Sequence, residues 1–268
     1  MDTIQFSIEE LIFSFYSEGL FEQGISIKEA YFPELQDSEL KLMLEFASRS
    51  LLAKDMIKEV ENQYKLKDEF AAYIHTLNYA EYTVKASKHH FDLSGEESIS
   101  FHFKSGEVYL HKVLFENQVH SISKISEEEI LSVINKFYNF QNLQISESES
   151  DVLVQLKSEE FEELLEDVSR TDSLLESIVE KWITEKGHSS SIFEFLNDLS
   201  NRNGKMDSLI SFKYDSENKP NLMDLYFIIP GKKECWIATR NNDLDLNIKR
   251  VNESSIRTLL FKSGIHSA

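Results

Sequence analysis

Ser98-Ile99-Ser100-Phe101-His102-Phe103-Lys104 alternates polar and apolar side chains without a break, and Ser105-Gly106 follows it directly. A period of two places Ile99, Phe101 and Phe103 on one face of a strand, and Ser-Gly is a two-residue turn signal. The spacing therefore predicts a hairpin: Glu107 to Phe115 returns, Glu116-Asn117 turns again, and Gln118 to Ile125 makes a further strand. Tyr82 to Ala86 alternates just upstream. The same period returns at Ser208-Leu209-Ile210-Ser211-Phe212-Lys213-Tyr214, with strands expected near 222–229, 234–240 and 244–250. Ile99-Ser100-Phe101 and Ile210-Ser211-Phe212 are identical, so both meanders look like copies of one unit.

Around the meanders the period changes to that of helices. Ser7-Ile8-Glu9-Glu10 reads as a capping box, in which Ser7 caps the first amides and Glu10 reaches back. It opens a helix with Leu11, Ile12, Phe13 and Phe15, ended by Gly19 or Gly24. Asp37-Ser38 and Asp68 open two more. Ser126-Glu127-Glu128-Glu129 and Ser191-Ile192-Phe193-Glu194 read as further capping boxes, Ser158 and Thr171 open helices between them, and Asn252 caps a last one. Val152-Leu153-Val154 reads as a short strand, and Ser146-Glu147-Ser148-Glu149-Ser150 as a linker.

The expected fold is α+β. Two pseudo-repeated units of helices plus an antiparallel β-meander share a central sheet, flanked by helical bundles. The halves, 1–140 and 141–268, are expected to merge into one domain, because a lone four-stranded meander with one helix leaves an open edge and a bare face.

Charge and composition narrow the function. Asp and Glu number 47 against 28 Lys and Arg, a net charge of −19, which repels nucleic acid and anionic membrane surfaces. The charge is uneven: 141–200 carries 15 acidic and 4 basic residues, whereas 201–268 carries 8 and 11. Cys235 is the single cysteine and sits in an apolar run, so it is expected to be a core residue in a reducing compartment. The N-terminus has neither a basic region nor an apolar core of a signal peptide, and no apolar window is long enough to span a bilayer. A cytoplasmic location is expected.

Chemistry is sparse. Phosphate-cradling glycine motifs, zinc-ligand spacings and the G-x-S-x-G elbow are all missing from the sequence. His102, His111 and His120 fall nine residues apart on successive strands and are expected as solvated cross-strand residues rather than metal ligands. Glu159, Glu162, Glu163 and Glu166 share one helix face, expected to be solvated, with recognition of a basic partner as the functional alternative. Trp182, Ile192, Phe193, Phe195 and Leu196 crowd a short helical stretch. Most are expected in the core, with some lining a groove for a partner helix. No enzyme activity, cofactor or metal is expected.

The layout resembles the EspG-type chaperones of type VII secretion systems. The resemblance rests on Ser7-Ile8-Glu9-Glu10-Leu11 at the start of the first helix and on Arg49-Ser50-Leu51-Leu52-Ala53-Lys54-Asp55-Met56-Ile57 closing a later one. It also rests on Ala80-Glu81-Tyr82 leading into a strand, and on the repeated helix–meander order. Asp55 stands where the family often has Gly, which puts Asp55 in the left-handed region. The Lys104-Ser105-Gly106-Glu107 turn is shorter than the corresponding loop of many members. The resemblance implies a chaperone that shields a helical secreted client of WXG100, LXG or PE-PPE type. Contacts are expected from Lys104, Ser105, Gly106 and Glu107 in the first half and from Trp182, Ile192, Phe193, Phe195 and Leu196 in the second. The chaperone is expected as a monomer or dimer. The competing reading is an acidic immunity or inhibitor protein that covers a toxin's basic site. An enzyme with a non-motif site is the third.

Overall fold

The computed structural model describes residues 3–140, 151–169, 176–186, 190–241 and 243–261. The described elements run β1 (Thr3–Ser7), α1 (Ile8–Ser17), α2 (Phe21–Tyr31), α3 (Asp37–Ala53), β2 (Ile57–Val60), β3 (Gln63–Leu66), α4 (Asp68–Asn78), β4 (Tyr82–His89), β5 (Glu96–Lys104), β6 (Glu107–Leu114), β7 (Val119–Ile125) and α5 (Glu127–Tyr138). They continue with β8 (Val152–Leu156), α6 (Ser158–Ser169), α7 (Glu176–Lys186), α8 (Ser190–Ser200), β9 (Asp207–Tyr214), β10 (Pro220–Pro230), β11 (Cys235–Arg240), β12 (Leu246–Arg250) and α9 (Glu253–Phe261). The chain is therefore α+β, as expected. Ten strands form an antiparallel sheet in the order β1-β7-β6-β5-β4-β9-β10-β11-β12-β8, and β2-β3 is a separate hairpin.

That order reads the same from either end: an N-terminal strand pairs with the last strand of its own meander, β1 with β7 and β8 with β12. The repeat is thus more regular than the sequence suggests, because β1 supplies the counterpart of β8. The local identity does not belong to it. Ile99-Ser100-Phe101 lies in β5 and Ile210-Ser211-Phe212 in β9, whereas the strand order makes β9 the counterpart of β4. Short alternating strands share such triplets without common descent.

The chain packs as two compact units, one of residues 1–83, 99–126 and 213–220, the other of 84–98, 127–212 and 221–268. In the first, α1 begins with the expected box: Ser7 N donates to Glu10 Oε2 (2.9 Å) and Glu10 N to Ser7 Oγ (3.2 Å). It ends at Gly19 (φ +75°), with Leu20 N bonded to Phe15 O (2.9 Å) and Gly19 N to Tyr16 O (3.1 Å). This is a Schellman end. The end of α3 repeats it with Asp55 in the left-handed region (φ 57°), Met56 N reaching Leu51 O at 2.9 Å. The core of this unit joins Phe6 of β1, Leu11 and Phe15 of α1, Ile74 of α4, and Tyr109 and Ile122 of the meander.

Glu10 also closes a buried polar knot. Its carboxylate accepts from Ser50 Oγ (2.6 Å) and Lys54 Nζ (2.7 Å) as well as from the Ser7 amide. Glu10→Ala removes a cap, while Ser50 and Lys54, both exposed, can turn to water. The expected loss is about 1 kcal/mol of unfolding free energy, read from urea denaturation.

In the second unit, β8 and β10–β12 pack their inward side chains (Leu156, Ile229, Trp236 and Ile248) against Phe161 and Leu164 of α6, Trp182 of α7, and Phe195 and Leu199 of α8. Asn252 caps α9 as expected, its Oδ1 accepting from Ser255 N at 2.7 Å. Ser191 differs: it lies inside α8, where its hydroxyl accepts from Arg250, and is not the residue preceding the helix. The expected linker at 146–150 and the Thr171 helix start lie outside the described residues.

Candidate partner-binding surfaces

The β5–β6 hairpin has the expected two-residue tip, with Ser105 (φ 52°) and Gly106 (φ +75°) both left-handed. Its polar groups are already engaged. Lys104 Nζ donates to His75 O (3.1 Å) and lies 5.4 Å from the centre of the Tyr79 ring. Ser105 N donates to Glu81 Oε1 (3.1 Å). Glu107 accepts from Tyr109 OH (2.7 Å) and pairs with Lys124, and these partners hold its carboxyl below the usual range. The tip is a braced knuckle with no loop long enough to wrap a client.

The second expected group divides. Trp182, Ile192, Phe195 and Leu196 are buried, Trp182 at 2% exposure, and belong to the core of α6–α8. The expectation that most of the stretch is core describes these four, and the expected partner contacts from them are corrected, for a simple reason. Three short helices and four strands take these four large side chains to fill the space between them. Phe193 alone points outward, at 47% exposure. The indole N–H of Trp182 donates to Asp167 (3.2 Å), and Lys181 bridges Glu163 and Asp167 at 2.7 Å each. Glu159, Glu162, Glu163 and Glu166 lie exposed along α6.

Phe193 stands beside the β10–β11 turn, Gly231-Lys232-Lys233-Glu234, and with it lines a groove of about 490 Å³. The turn is built on a buried carboxylate. Asp198 accepts from the Trp236 indole N–H (3.0 Å) and the Lys232 amide (3.3 Å), and Gly231 N closes the turn onto Glu234 O (3.0 Å). This fixes two lysines next to an exposed phenyl ring, Lys233 Nζ reaching Glu194 at 3.4 Å. The same turn borders a second concavity of about 480 Å³, whose lining includes Phe91, Tyr138, Phe140, Arg202 and Cys235. Burial pushes the Cys235 thiol far up, so it is a poor nucleophile there. Nearby Asp207 is paired with Arg202, and burial raises its carboxyl.

Three comparisons bear on this arrangement. The sequence model of the family described as "Uncharacterised protein YfjC" matches residues 3–260. The chain belongs to the YfjC family. A relative described as "Uncharacterized protein YfjC", from Bacillus subtilis (strain 168), is 40% identical over 263 residues, covering 98% of this chain and 100% of that protein. Among solved structures, the Mycobacterium tuberculosis type VII secretion system chaperone EspG5, in complex with a PE25-PPE41 dimer, superposes with a TM-score of 0.62. The match covers 100% of this chain and 99% of that one at 9% identity. The YfjC-family chain therefore has an EspG-like fold, and the resemblance read from the sequence holds at that level.

One expectation about the YfjC-family chain is overturned. His120 is buried and His102 and His111 are half-buried, so none stands free in solvent. Register places each opposite a core residue, His102 across from Tyr109, His111 from Ile122 and His120 from Phe6. The rings form a row across β5–β7, His111 stacked on His120 with centroids 5.1 Å apart and His102 tilted against His111 at 5.8 Å. His111 Nε2 and His120 Nδ1 share a hydrogen bond of 2.9 Å, and Thr83 Oγ1 lies 3.0 Å from His102 Nδ1. Burial pushes His102 down to about 4 and lowers both others. Rings in a row do not converge on a point, and no metal-binding group of three His, Cys, Asp or Glu occurs among the described residues. No described helix is long and apolar enough to cross a membrane.

Proposed function

We propose that this YfjC-family chain is a cytoplasmic, non-enzymatic chaperone that covers an apolar helical surface of a secreted client of a type VII-like system. The observation that carries the reading is the exposed Phe193 on α8, set beside Lys232 and Lys233 on a turn braced by Asp198. An exposed ring flanked by fixed charge is a typical anchor for a partner helix. The EspG-like fold over the whole chain supports the same direction, since the EspG5 structure contains a PE25-PPE41 dimer. On this reading the hairpin tip at 104–107 contributes shape only, and the buried Trp182, Ile192, Phe195 and Leu196 act by holding α8 in place.

The test is affinity purification of the full chain from its native host, with proteins identified by mass spectrometry. A small helical secreted protein is the expected catch. Phe193→Asp is expected to lower its recovery about tenfold or more, while leaving the melting temperature near that of the wild type. Recovery of a nuclease or another toxin, blind to Phe193→Asp, would establish the inhibitor reading in its place.

A further inference from the structure

We propose that the exposed face of α3 docks a second helix: a basic amphipathic segment of about three turns from a partner chain. The inference stands apart from the Phe193 surface. Of the 17 residues of α3, the buried ones are Ala47, Ser48 and Leu51, all in its C-terminal half. Leu42 and Phe46 stand 50% and 57% exposed, although they are large and apolar. Glu39, Leu42, Met43, Phe46, Ala47 and Ser50 line one groove of about 420 Å³ along the helix. Their spacing of three and four residues is that of a coiled-coil seam, in which a facing helix inserts its own apolar side chains. Leu42 and Phe46 would be the anchors and Ala47 the hole.

Charge decides between occupants. The groove is also lined by Glu9 and Glu10, so with Glu39 its charged lining is three carboxylates, while Arg49, paired with Glu45, lies 5.9 Å from the centre of the Phe46 ring. Glu10 is met by Lys54, which leaves Glu9 and Glu39 at the rim. A second copy of this chain, at −19, would bring its own Glu39 to the same rim. A helix with Lys or Arg beside its apolar stripe meets the rim with opposite charge. The acidic rim thus selects a basic helix over self-association.

A fluorescent three-turn peptide with an apolar heptad seam and flanking lysines would be titrated with the full chain, alongside a copy with flanking glutamates. The lysine peptide is expected to bind about tenfold or more tightly than the glutamate copy, and more weakly as salt rises. Leu42→Ser with Phe46→Ser is expected to lose about tenfold in affinity, because both side chains lie on the surface and their loss leaves the fold intact. Glu9→Lys with Glu39→Lys should reverse the charge preference. Equal binding of the two peptides, or no effect of the seam variants, overturns the proposal. So does sedimentation equilibrium showing a dimer that Phe46→Lys dissociates, since the occupant would then be a second copy.

Discussion

Gly231→Ala is expected to cost the fold about 3 kcal/mol, because the turn it occupies has no room for a methyl group. A Cβ built there would lie 1.9 Å from Asp198 Oδ2 and 2.6 Å from the Glu234 backbone oxygen. Neither can step aside cheaply. The Asp198 side chain is held by the Trp236 indole N–H, and Trp236 is fully buried. The Glu234 carbonyl closes the turn by accepting from Gly231 N. Asp198→Ala should cost about 2 kcal/mol by itself, since it leaves a buried indole N–H without an acceptor. If the carboxylate is the main obstacle, the double variant will be less destabilised than the sum of the singles, by about 1 kcal/mol. Urea denaturation of the four proteins measures the cycle. Strict additivity would show that the backbone oxygen, not Asp198, excludes the methyl group. The result bears on function as well, because the same turn carries Lys232 and Lys233 beside Phe193.

Acid should loosen the first unit as the pH falls below about 6.5. His120 is buried, His102 and His111 are half-buried, and all three are held below their ordinary range, mainly by loss of water. His102 Nε2 and His120 Nε2 are buried without a hydrogen-bond partner. A bare ring nitrogen tolerates that, but a protonated one becomes a cationic donor with nothing to accept from it. The folded state therefore binds fewer protons than the unfolded chain, and stability falls as pH drops below about 6.5. For His102 the loss continues until pH reaches its folded value of about 4. The slope approaches about 1.4 kcal/mol per pH unit for each fully responding imidazole. Between pH 7 and 5.5, His102 alone accounts for about 1 kcal/mol, with the other two adding in the same direction. Asp207, whose carboxyl burial raises, works in the opposite sense at lower pH, so the informative quantity is a difference. Replacing all three histidines with glutamine should flatten the dependence of unfolding free energy on pH between 7 and 5.5. A triple variant as acid-sensitive as the wild type would place the titrating groups elsewhere.

Much of the architecture is written locally. The alternation from Ile99 to Phe103, the Ser105-Gly106 turn and the Ser7–Glu10 box are contacts within a few residues, so they survive in any context. They gave both meanders, the β5–β6 turn and the start of α1 directly, whereas Ser191 falls inside α8 and the expected Glu116-Asn117 turn is a longer loop between Leu114 and Val119. Four elements escaped because their signals are weak alone. β1 is five residues long and gains its hydrogen bonds from β7, more than a hundred residues later. β2–β3 turns through Glu61-Asn62, both left-handed, in place of a glycine pair. α2 contains Gly24, which reads as a stop. The glycine is there because α2 crosses α1 so closely that a Cβ would lie 2.6 Å from the Tyr16 ring.

The candidate site was less legible than the fold. Composition marks Trp182, Ile192, Phe193, Phe195 and Leu196 equally as large and apolar, and periodicity along α8 narrows the choice without naming the one outside. Only the packing of α6 and α7 and the strands against α8 buries four of them and leaves Phe193 in water. The histidines show the same division. The sequence by itself determined that they fall on three successive strands, because a period of two is a property of the extended backbone, and the register of the turns brings them onto one face. Whether that face meets solvent or the α1–α4 layer is set by long-range packing, and burial is what turns three ordinary imidazoles into an acid-sensitive row.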